Sequence, residues 1–172
     1  MTDWKNGRLW RHWADKYTEI FDDDDRRIAA SQCRFGRHFH EWLTAITLFK
    51  QFGLFSLVEK YNCFCHLRKQ EFLKHFGKTN LQLLPTILAN KARRGPQCPD
   101  LLVFEPDRSW WFFCEVKGQG DKHRDSQIEW FNELQRATKV PIALITLSNN
   151  GTSRMPNNTL DATSIRGMDS AK

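Results

Sequence analysis

Three charged residues near the middle of the chain have types and spacing that suit chemistry on a phosphate. Asp100 follows Pro99, and Glu115 and Lys117 stand at the end of the aromatic segment WWFFCEVKG. Successive side chains of a strand point to opposite faces, so Glu115 and Lys117 share a face while Val116 points away from it. A buried strand needs neither charge at its tip, so these residues form a candidate functional site.

The predicted elements around these residues bring them together. DLLVFEP predicts a short strand, DRS a turn and WWFFCEVKG a second strand, and their spacing indicates an antiparallel hairpin. The start of the first strand then lies beside the end of the second. We therefore expect Asp100, Glu115 and Lys117 to converge at one edge of the sheet.

Two carboxylates at that separation repel each other unless a cation lies between them. Mg²⁺ or Mn²⁺ suits them, because a hard divalent ion prefers oxygen ligands and keeps several waters. The residues thus predict a metal site formed by Asp100 and Glu115, with the backbone carbonyl of Val116 as a further candidate ligand. Lys117 cannot ligate while protonated, but it can orient or help deprotonate a water that the ion holds.

Further segments follow this pair in a recognisable order. The matching residues are Pro99 and Asp100, then Glu115, Val116 and Lys117, then Gln127 and Trp130. They lie in GPQCPDLLVF, FFCEVKGQGDKHRDSQIEWFNEL and KVPIALITL, over about residues 95 to 147. In this order and spacing the sequence resembles the VRR-NUC (virus-type replication-repair nuclease) family of PD-(D/E)xK, or restriction-endonuclease-like, nucleases.

The resemblance implies metal-dependent cleavage of DNA phosphodiester bonds, on branched, flapped or junction DNA in replication, repair or recombination. It implies that Asp100 and Glu115 are metal ligands and that Lys117 is the catalytic lysine. Gln127 would help to position the lysine, the water or the phosphate.

The resemblance also implies one more acid on the first helix of the fold. HFHEWLTAITLFKQF predicts an amphipathic helix over 38–52, because its apolar residues recur at helical spacing and Gly53 can end it. Glu41 is the candidate acid on this helix. Glu59 is the rival if the segment LFSLVEKY holds the first strand.

The whole pattern predicts an α/β fold, with a restriction-endonuclease-like mixed sheet flanked by helices. We predict an aromatic and basic helical extension over 1–37, the nuclease domain over 38–147 with a helical insertion at about 66–94, and a flexible tail over 148–172. VPIALITL predicts a strand covered on both faces. Asp125 or Ser126 is the expected cap of the helix before it.

Two features of the N-terminal extension have alternative interpretations. Trp10, Trp13 and Tyr17 stand at helical spacing among basic residues. We favour packing against the core over an aromatic and basic nucleic-acid surface. The acidic run at 22–25 indicates a solvated turn or a helix N-terminus, where carboxylates suit the helix dipole.

Charge favours a polyanionic partner. The 172-residue chain carries a formal net charge of +6, which fits DNA as the partner without excluding RNA. A homodimer would suit paired cuts on two strands. The basic residues expected to bind phosphates flank the two ends of the hairpin: Arg93, Arg94, Lys122, His123 and Arg124.

Other classes of protein are disfavoured. The sequence has no window apolar enough to span a membrane and no signal-peptide pattern, which predicts a cytoplasmic protein that is not secreted. The family resemblance implies a bacterial or phage-type protein. Five cysteines without framework spacing suggest reduced thiols. Cys63, Cys65 and His66 offer a weak metal clip, less favoured than two core cysteines.

Two alternatives to an enzyme stay open. The chain can be a non-catalytic nucleic-acid-binding or assembly module that keeps the nuclease fold. It can also be a structural α/β domain in which Glu115 and Lys117 form a surface ion pair worth under about 1 kcal/mol. The intact Asp, Glu, Lys and Gln favour the nuclease.

Overall fold

The computed structural model describes residues 1–58, 99–118, 120–122 and 124–147. Within them, one four-stranded mixed sheet has helices packed on both faces. The predicted insertion, the predicted tail, Glu59 and the candidate clip from Cys63 to His66 lie outside the described residues. None of the helices in the described part is long and apolar enough to cross a membrane.

The elements follow one another in the order expected of a mixed α/β domain. The helices are α1 (Thr2–Lys5), α2 (Arg8–Lys16), α3 (Asp23–Gln32), a short 3₁₀ helix (Cys33–Phe35), α4 (Phe39–Phe52) and α5 (Asp125–Thr138). The strands are β1 (Phe55–Val58), β2 (Leu101–Phe104), β3 (Trp111–Lys117) and β4 (Ile142–Thr146). The sheet order is β1-β2-β3-β4, with β3 and β4 parallel and the other pairs antiparallel. The predicted fold class is confirmed.

The β2–β3 hairpin is confirmed and sets the register of the candidate site. Leu101 lies opposite Cys114 and Phe104 opposite Trp111. The Glu105 N–H closes the turn by donating to the Trp110 carbonyl at 3.1 Å. This register places Asp100, one residue before β2, across from Glu115 near the end of β3.

The central strands are buried on both faces because their side chains alternate between two apolar clusters. One cluster joins the first face of the sheet to helices α1 to α4, and its sheet members include Leu101, Val103, Phe112, Cys114 and Val116. The other joins the second face to α5, and its members include Leu102, Phe104, Phe113, Trp130, Phe131 and Leu134. Glu115 and Lys117 continue the α5 face of β3, because they follow Phe113 at steps of two.

The expectation that β4 is covered on both faces is wrong. Leu144 is 59% exposed, although its neighbours in β4 are partly buried. Strand β4 pairs only with β3 in the described sheet, and on the α5 side it adds only Ile142 to the apolar cluster. A continuous apolar run therefore forms an edge strand of the sheet that the described residues build.

The N-terminal aromatics pack in the core, as we favoured. Trp4, Trp10 and Trp13 are buried, so they are not available as a nucleic-acid surface. The Trp4 ring lies 5.8 Å from that of Trp13 and 5.9 Å from that of Phe39, and its indole N–H donates to the Arg37 carbonyl at 2.9 Å. The N-terminal helices thus hold the start of α4 in place.

The acidic run is the N-terminus of α3, and the solvated-turn alternative is wrong. Asp22 caps the helix by accepting from the Asp25 N–H at 2.8 Å, and the Asp25 side chain accepts from the Asp22 N–H in return. Asp24 and Asp25 are 7% and 4% exposed. Reciprocal capping satisfies the backbone donors that helix N-termini leave unpaired, so these carboxylates turn inward.

Helix α4 matches its prediction, and α5 differs at its cap. Gly53 ends α4 in the left-handed conformation, with φ 70°, as its lack of a Cβ allows. Arg124 is the N-cap residue of α5, without a side-chain cap hydrogen bond, so the expected caps Asp125 and Ser126 are wrong. Asp125 instead lies in the first turn, where its charge suits the helix dipole.

We predict that Trp4→Ala lowers the free energy of unfolding by about 3–5 kcal/mol, because it leaves a cavity among α1, α2 and α4. Phe52→Ala is the matched control, since Phe52 is 38% exposed at the far end of α4 and should cost far less. Urea denaturation followed by tryptophan fluorescence measures both. Equal costs for the two variants would contradict the packed N-terminus.

Candidate active site

The ends of β2 and β3 position the first carboxylate. Asp100 precedes β2, and its Oδ2 accepts a hydrogen bond from the Val116 backbone N–H at 2.8 Å. This contact crosses the hairpin and fixes the carboxylate beside β3. Val116 therefore contributes its N–H to the site, while the role of its carbonyl oxygen as a metal ligand stays a prediction.

The second carboxylate lies at the centre of a polar cluster on the α5 face. Glu115 is 2% exposed. Its Oε1 accepts from Lys117 Nζ at 2.6 Å and from Gln127 Nε2 at 2.5 Å. Lys117 Nζ also donates to Gln127 Oε1 at 3.4 Å. Gln127 lies in the first turn of α5, so helix and strand meet at this cluster.

Burial and like charge shape the titration of Asp100. Burial, with the neighbouring charge of Glu115, raises the pKa of Asp100 from 3.8 to about 7, and the charge of Glu41 acts in the same direction. The Val116 N–H and the charge of Lys117 lower the pKa of this carboxyl, but they do not offset burial. The pair is therefore under electrostatic stress that a nearby cation would relieve.

The carboxylate pair offers oxygen atoms to a divalent ion. Glu115 Oε2 is buried and has no hydrogen-bond partner in the described structure, which leaves one oxygen lone-pair set for a further ligand. Within the described ranges, no three His, Cys, Asp or Glu side chains converge on one point. Mg²⁺ commonly binds through one or two carboxylates, with waters and substrate phosphates completing its shell. Asp100 and Glu115 fit that mode of binding, and a closed protein cage does not.

Glu41 lies close enough to Asp100 to influence its charge, whereas its rival Glu59 is outside the described residues. The Oε1 of Glu41 is 3.6 Å from His38 Nδ1. Burial opposes ionisation of Glu41, but its contact with His38 and the charges of His38 and His40 hold its pKa below the ordinary value. The first turn of α4 thus presents an ionised acid toward the carboxylate pair.

Sequence reasoning missed two histidines at this edge. His38 is the N-cap residue of α4, in the left-handed conformation with φ 61°. His40 packs against Gly118, where a Cβ would lie 2.9 Å from the His40 ring, so only glycine allows this approach. The available signal was the segment HFHE, with two histidines beside the candidate acid at a predicted helix start.

Two of the five residues predicted to bind phosphates are described by the structure, and both lie between β3 and α5. Lys122 and Arg124 are exposed, and Asp121 anchors the loop by accepting from the Gly118 N–H at 2.9 Å. Both cations lie within seven residues after Lys117, the last residue of β3. Arg93, Arg94 and His123 lie outside the described residues.

We predict that Asp100→Asn changes the pH dependence of stability. With a pKa raised to about 7, folded metal-free protein keeps a proton that the unfolded chain releases near pH 3.8, so the free energy of unfolding falls as pH rises between those values. The variant should lack this fall and be more stable than wild type near pH 8 by roughly 1–4 kcal/mol, but not near pH 4.

Urea denaturation with and without Mn²⁺ measures this effect. Mn²⁺ should stabilise wild type near pH 8 and stabilise Asp100→Asn much less, because ligand binding to the folded state adds to stability. Parallel pH curves for the two proteins would show that Asp100 does not titrate as described.

Comparison with known proteins identifies the family. The VRR-NUC domain model matches residues 25–146, which is more than half of the chain and includes Glu41, Asp100, Glu115, Lys117 and Gln127. Neither curated proteins nor solved structures give a significant match. The match starts within α3 and ends with β4, so it spans both layers that meet at the carboxylate pair. The chain belongs to the VRR-NUC family and carries a nuclease-type domain.

Proposed function

We propose that this protein is a metal-dependent DNA endonuclease that hydrolyses phosphodiester bonds, with preference for branched, flapped or junction DNA. The observation that carries the proposal is the cluster of Glu115, Lys117 and Gln127 facing Asp100 at one end of the sheet. A nuclease-type domain supports nucleic acid as the partner. Selectivity for branched DNA and a role in replication, repair or recombination rest on the family resemblance.

Two side chains are proposed to hold Mg²⁺ or Mn²⁺. Asp100, oriented by the Val116 N–H, and Glu115, through its buried Oε2, supply oxygen ligands. When bound, the ion supplies positive charge that neutralises the scissile phosphate and the charge that develops on it. Glu41, from the first turn of α4, is the proposed additional acid, and its negative charge adds to the attraction of the carboxylate pair for the ion.

Lys117 is proposed to be the catalytic lysine. Its ammonium group lies 2.6 Å from Glu115 and 3.4 Å from Gln127, and its side chain is 17% exposed, so it stands at the boundary between the buried pair and solvent. There it orients the attacking water toward phosphorus and stabilises charge on the phosphate. Gln127 holds Glu115 and Lys117 together and so fixes the geometry of both.

The geometry disfavours the non-catalytic and structural alternatives. A surface ion pair does not require a Glu that is 2% exposed, and burial of a charge is costly unless it is well paired. A module that only bound nucleic acid would favour cations at this edge over two neighbouring carboxylates, which repel phosphate. Chemistry at the phosphate accounts for both acids and the lysine. A homodimer remains an expectation of the sequence.

We predict that Lys117→Ala lowers DNA cleavage at least about 100-fold while leaving DNA affinity within a fewfold, because the lysine acts mainly on the transition state. The assay offers single-stranded, duplex, flapped and four-way-junction DNA to the full chain with Mg²⁺, Mn²⁺ or EDTA. Wild type should cut only with metal and should cut branched DNA faster than plain duplex.

Lys50→Ala is the matched control, since Lys50 is an exposed lysine in the last turn of α4 and should leave cleavage unchanged. Full-rate cutting by Lys117→Ala, or cutting that survives EDTA, would refute the proposed mechanism.

We predict that the double variant Lys122→Gln/Arg124→Gln binds DNA more weakly. Its plot of log affinity against log salt should be less steep by about two, since each cation neutralises about one phosphate. Arg136→Gln is the control, because Arg136 is exposed about 18 Å further along α5. Fluorescence anisotropy over a salt series measures the slopes. An unchanged slope in the double variant would exclude this loop from the DNA surface.

A further inference from the structure

The turn between α3 and α4 exposes an aromatic ring among cations. Phe35 is 60% exposed. The Arg34 guanidinium carbon lies 4.6 Å from the centre of its ring and that of Arg37 lies 5.5 Å from it. An exposed phenylalanine costs stability that burial would have gained, so its place between two arginines requires an explanation.

The structure holds this turn, residues 34–37, firmly in place. Cys33 is buried, and Gly36 adopts φ 71° and donates its N–H to the Cys33 carbonyl at 2.8 Å. The Arg37 carbonyl accepts from the buried Trp4 indole. Both ends of the turn are anchored in the core, so Phe35 is presented to solvent by a defined backbone.

The arginines of the turn differ from three arginines in the N-terminal helices. Arg8, Arg26 and Arg27 each form a salt bridge with an aspartate. Arg34 and Arg37 are exposed, and in the described part of the chain no salt bridge neutralises either one. Lys5 adds a third cation, since a Cβ on Gly36 would lie 3.8 Å from its Nζ. The turn is therefore a local concentration of positive charge around an aromatic face.

The turn is also tied to the candidate active site. Arg37 precedes His38, the N-cap residue of α4, and His40 packs against Gly118 directly after Lys117. His40 is five positions after Phe35, so their Cα atoms lie at most about 18 Å apart. That distance spans at most roughly five nucleotides at the spacing of about 3.4 Å in a strand of duplex DNA.

We infer that the 34–37 turn binds unpaired nucleotides of the DNA strand that flanks the cleaved bond. A base stacks on Phe35 or on the guanidinium planes beside it, and Arg34, Arg37 and Lys5 bind the adjoining phosphates. Stacking needs a base released from its duplex, so this surface selects DNA with a single-stranded segment near the cut. The inference rests on the proposed function and names the part of the substrate that the turn recognises.

The test compares the affinity of the full chain for two DNAs: a blunt duplex, and the same duplex with a single-stranded extension of about 10 nucleotides. Lys117→Ala serves as the background so that the DNA stays intact. Phe35→Ala should weaken binding to the extended DNA about tenfold, because stacking of one base is lost. Its affinity for the blunt duplex and its melting temperature should not change.

Matched variants sharpen the result. Phe35→Trp should keep the preference for extended DNA. Phe52→Ala should leave it unchanged, because Phe52 is an exposed phenylalanine over whose ring no arginine of the described residues lies. Arg34→Gln and Arg37→Gln should each make the plot of log affinity against log salt less steep by about 0.7 for the extended DNA, which is the value per phosphate for single strands. Arg27→Gln, at an arginine paired with Asp24, should not change that slope.

Equal affinity of Phe35→Ala and its background for the extended DNA would overturn the inference, as would equal loss on both DNAs. These outcomes are separate from failure of the proposed function. In otherwise wild-type protein, Phe35→Ala should still cut blunt duplex at the wild-type rate. If the wild-type chain cuts none of these DNAs with Mn²⁺, the proposed function fails whatever the binding data show.

Discussion

Burial of two carboxylates at one end of a hairpin is the constraint on which the site depends. Asp100 and Glu115 face each other across β2 and β3, and one of them is almost fully removed from water. The Val116 N–H, Lys117 and Gln127 offset part of the repulsion. Burial, together with the repulsion that remains, raises the pKa of Asp100 to about 7, and a divalent cation beside the pair would relieve both effects.

The surrounding sheet explains how the chain tolerates this stress. Strands β2 and β3 are packed on both faces by aromatic and aliphatic side chains, so a one-residue slip in register would move every side chain to the opposite apolar cluster and disrupt the packing of both. That packing lowers the local dielectric and makes each charge at the strand ends interact more strongly. The same packing that makes burial of the two carboxylates unfavourable also strengthens their attraction to a cation.

The first face of the sheet delivers a second set of groups to the same edge. Helix α4 brings Glu41, His38 and His40 to the end of β3, and Gly118 allows the close approach of the His40 ring. Buried Trp4 holds Arg37, two residues before this helix, through its indole N–H. The N-terminal helices therefore support the site and also present the charged turn around Phe35 beside it.

Much of this arrangement is readable from short-range pattern. The hairpin, the amphipathic helix over 38–52 and the shared face of Glu115 and Lys117 follow from periods of two and 3.6 residues, which depend on local backbone geometry. Local pattern failed where distant packing decides. VPIALITL resembles a fully covered strand but lies at the edge of the described sheet, and Asp24 and Asp25 of the acidic run are buried rather than solvated.

The sequence by itself determined which side chains could share a face, because the backbone geometry of a strand or helix sets the direction of each side chain from its position in the element. Only the tertiary structure decided that α4 reaches the end of β3, that His40 meets Gly118, and that Phe35 stays exposed while Trp4, Trp10 and Trp13 are buried. These outcomes depend on contacts between residues far apart in the chain. Composition and periodicity do not contain that information, since many packings of the same elements satisfy both.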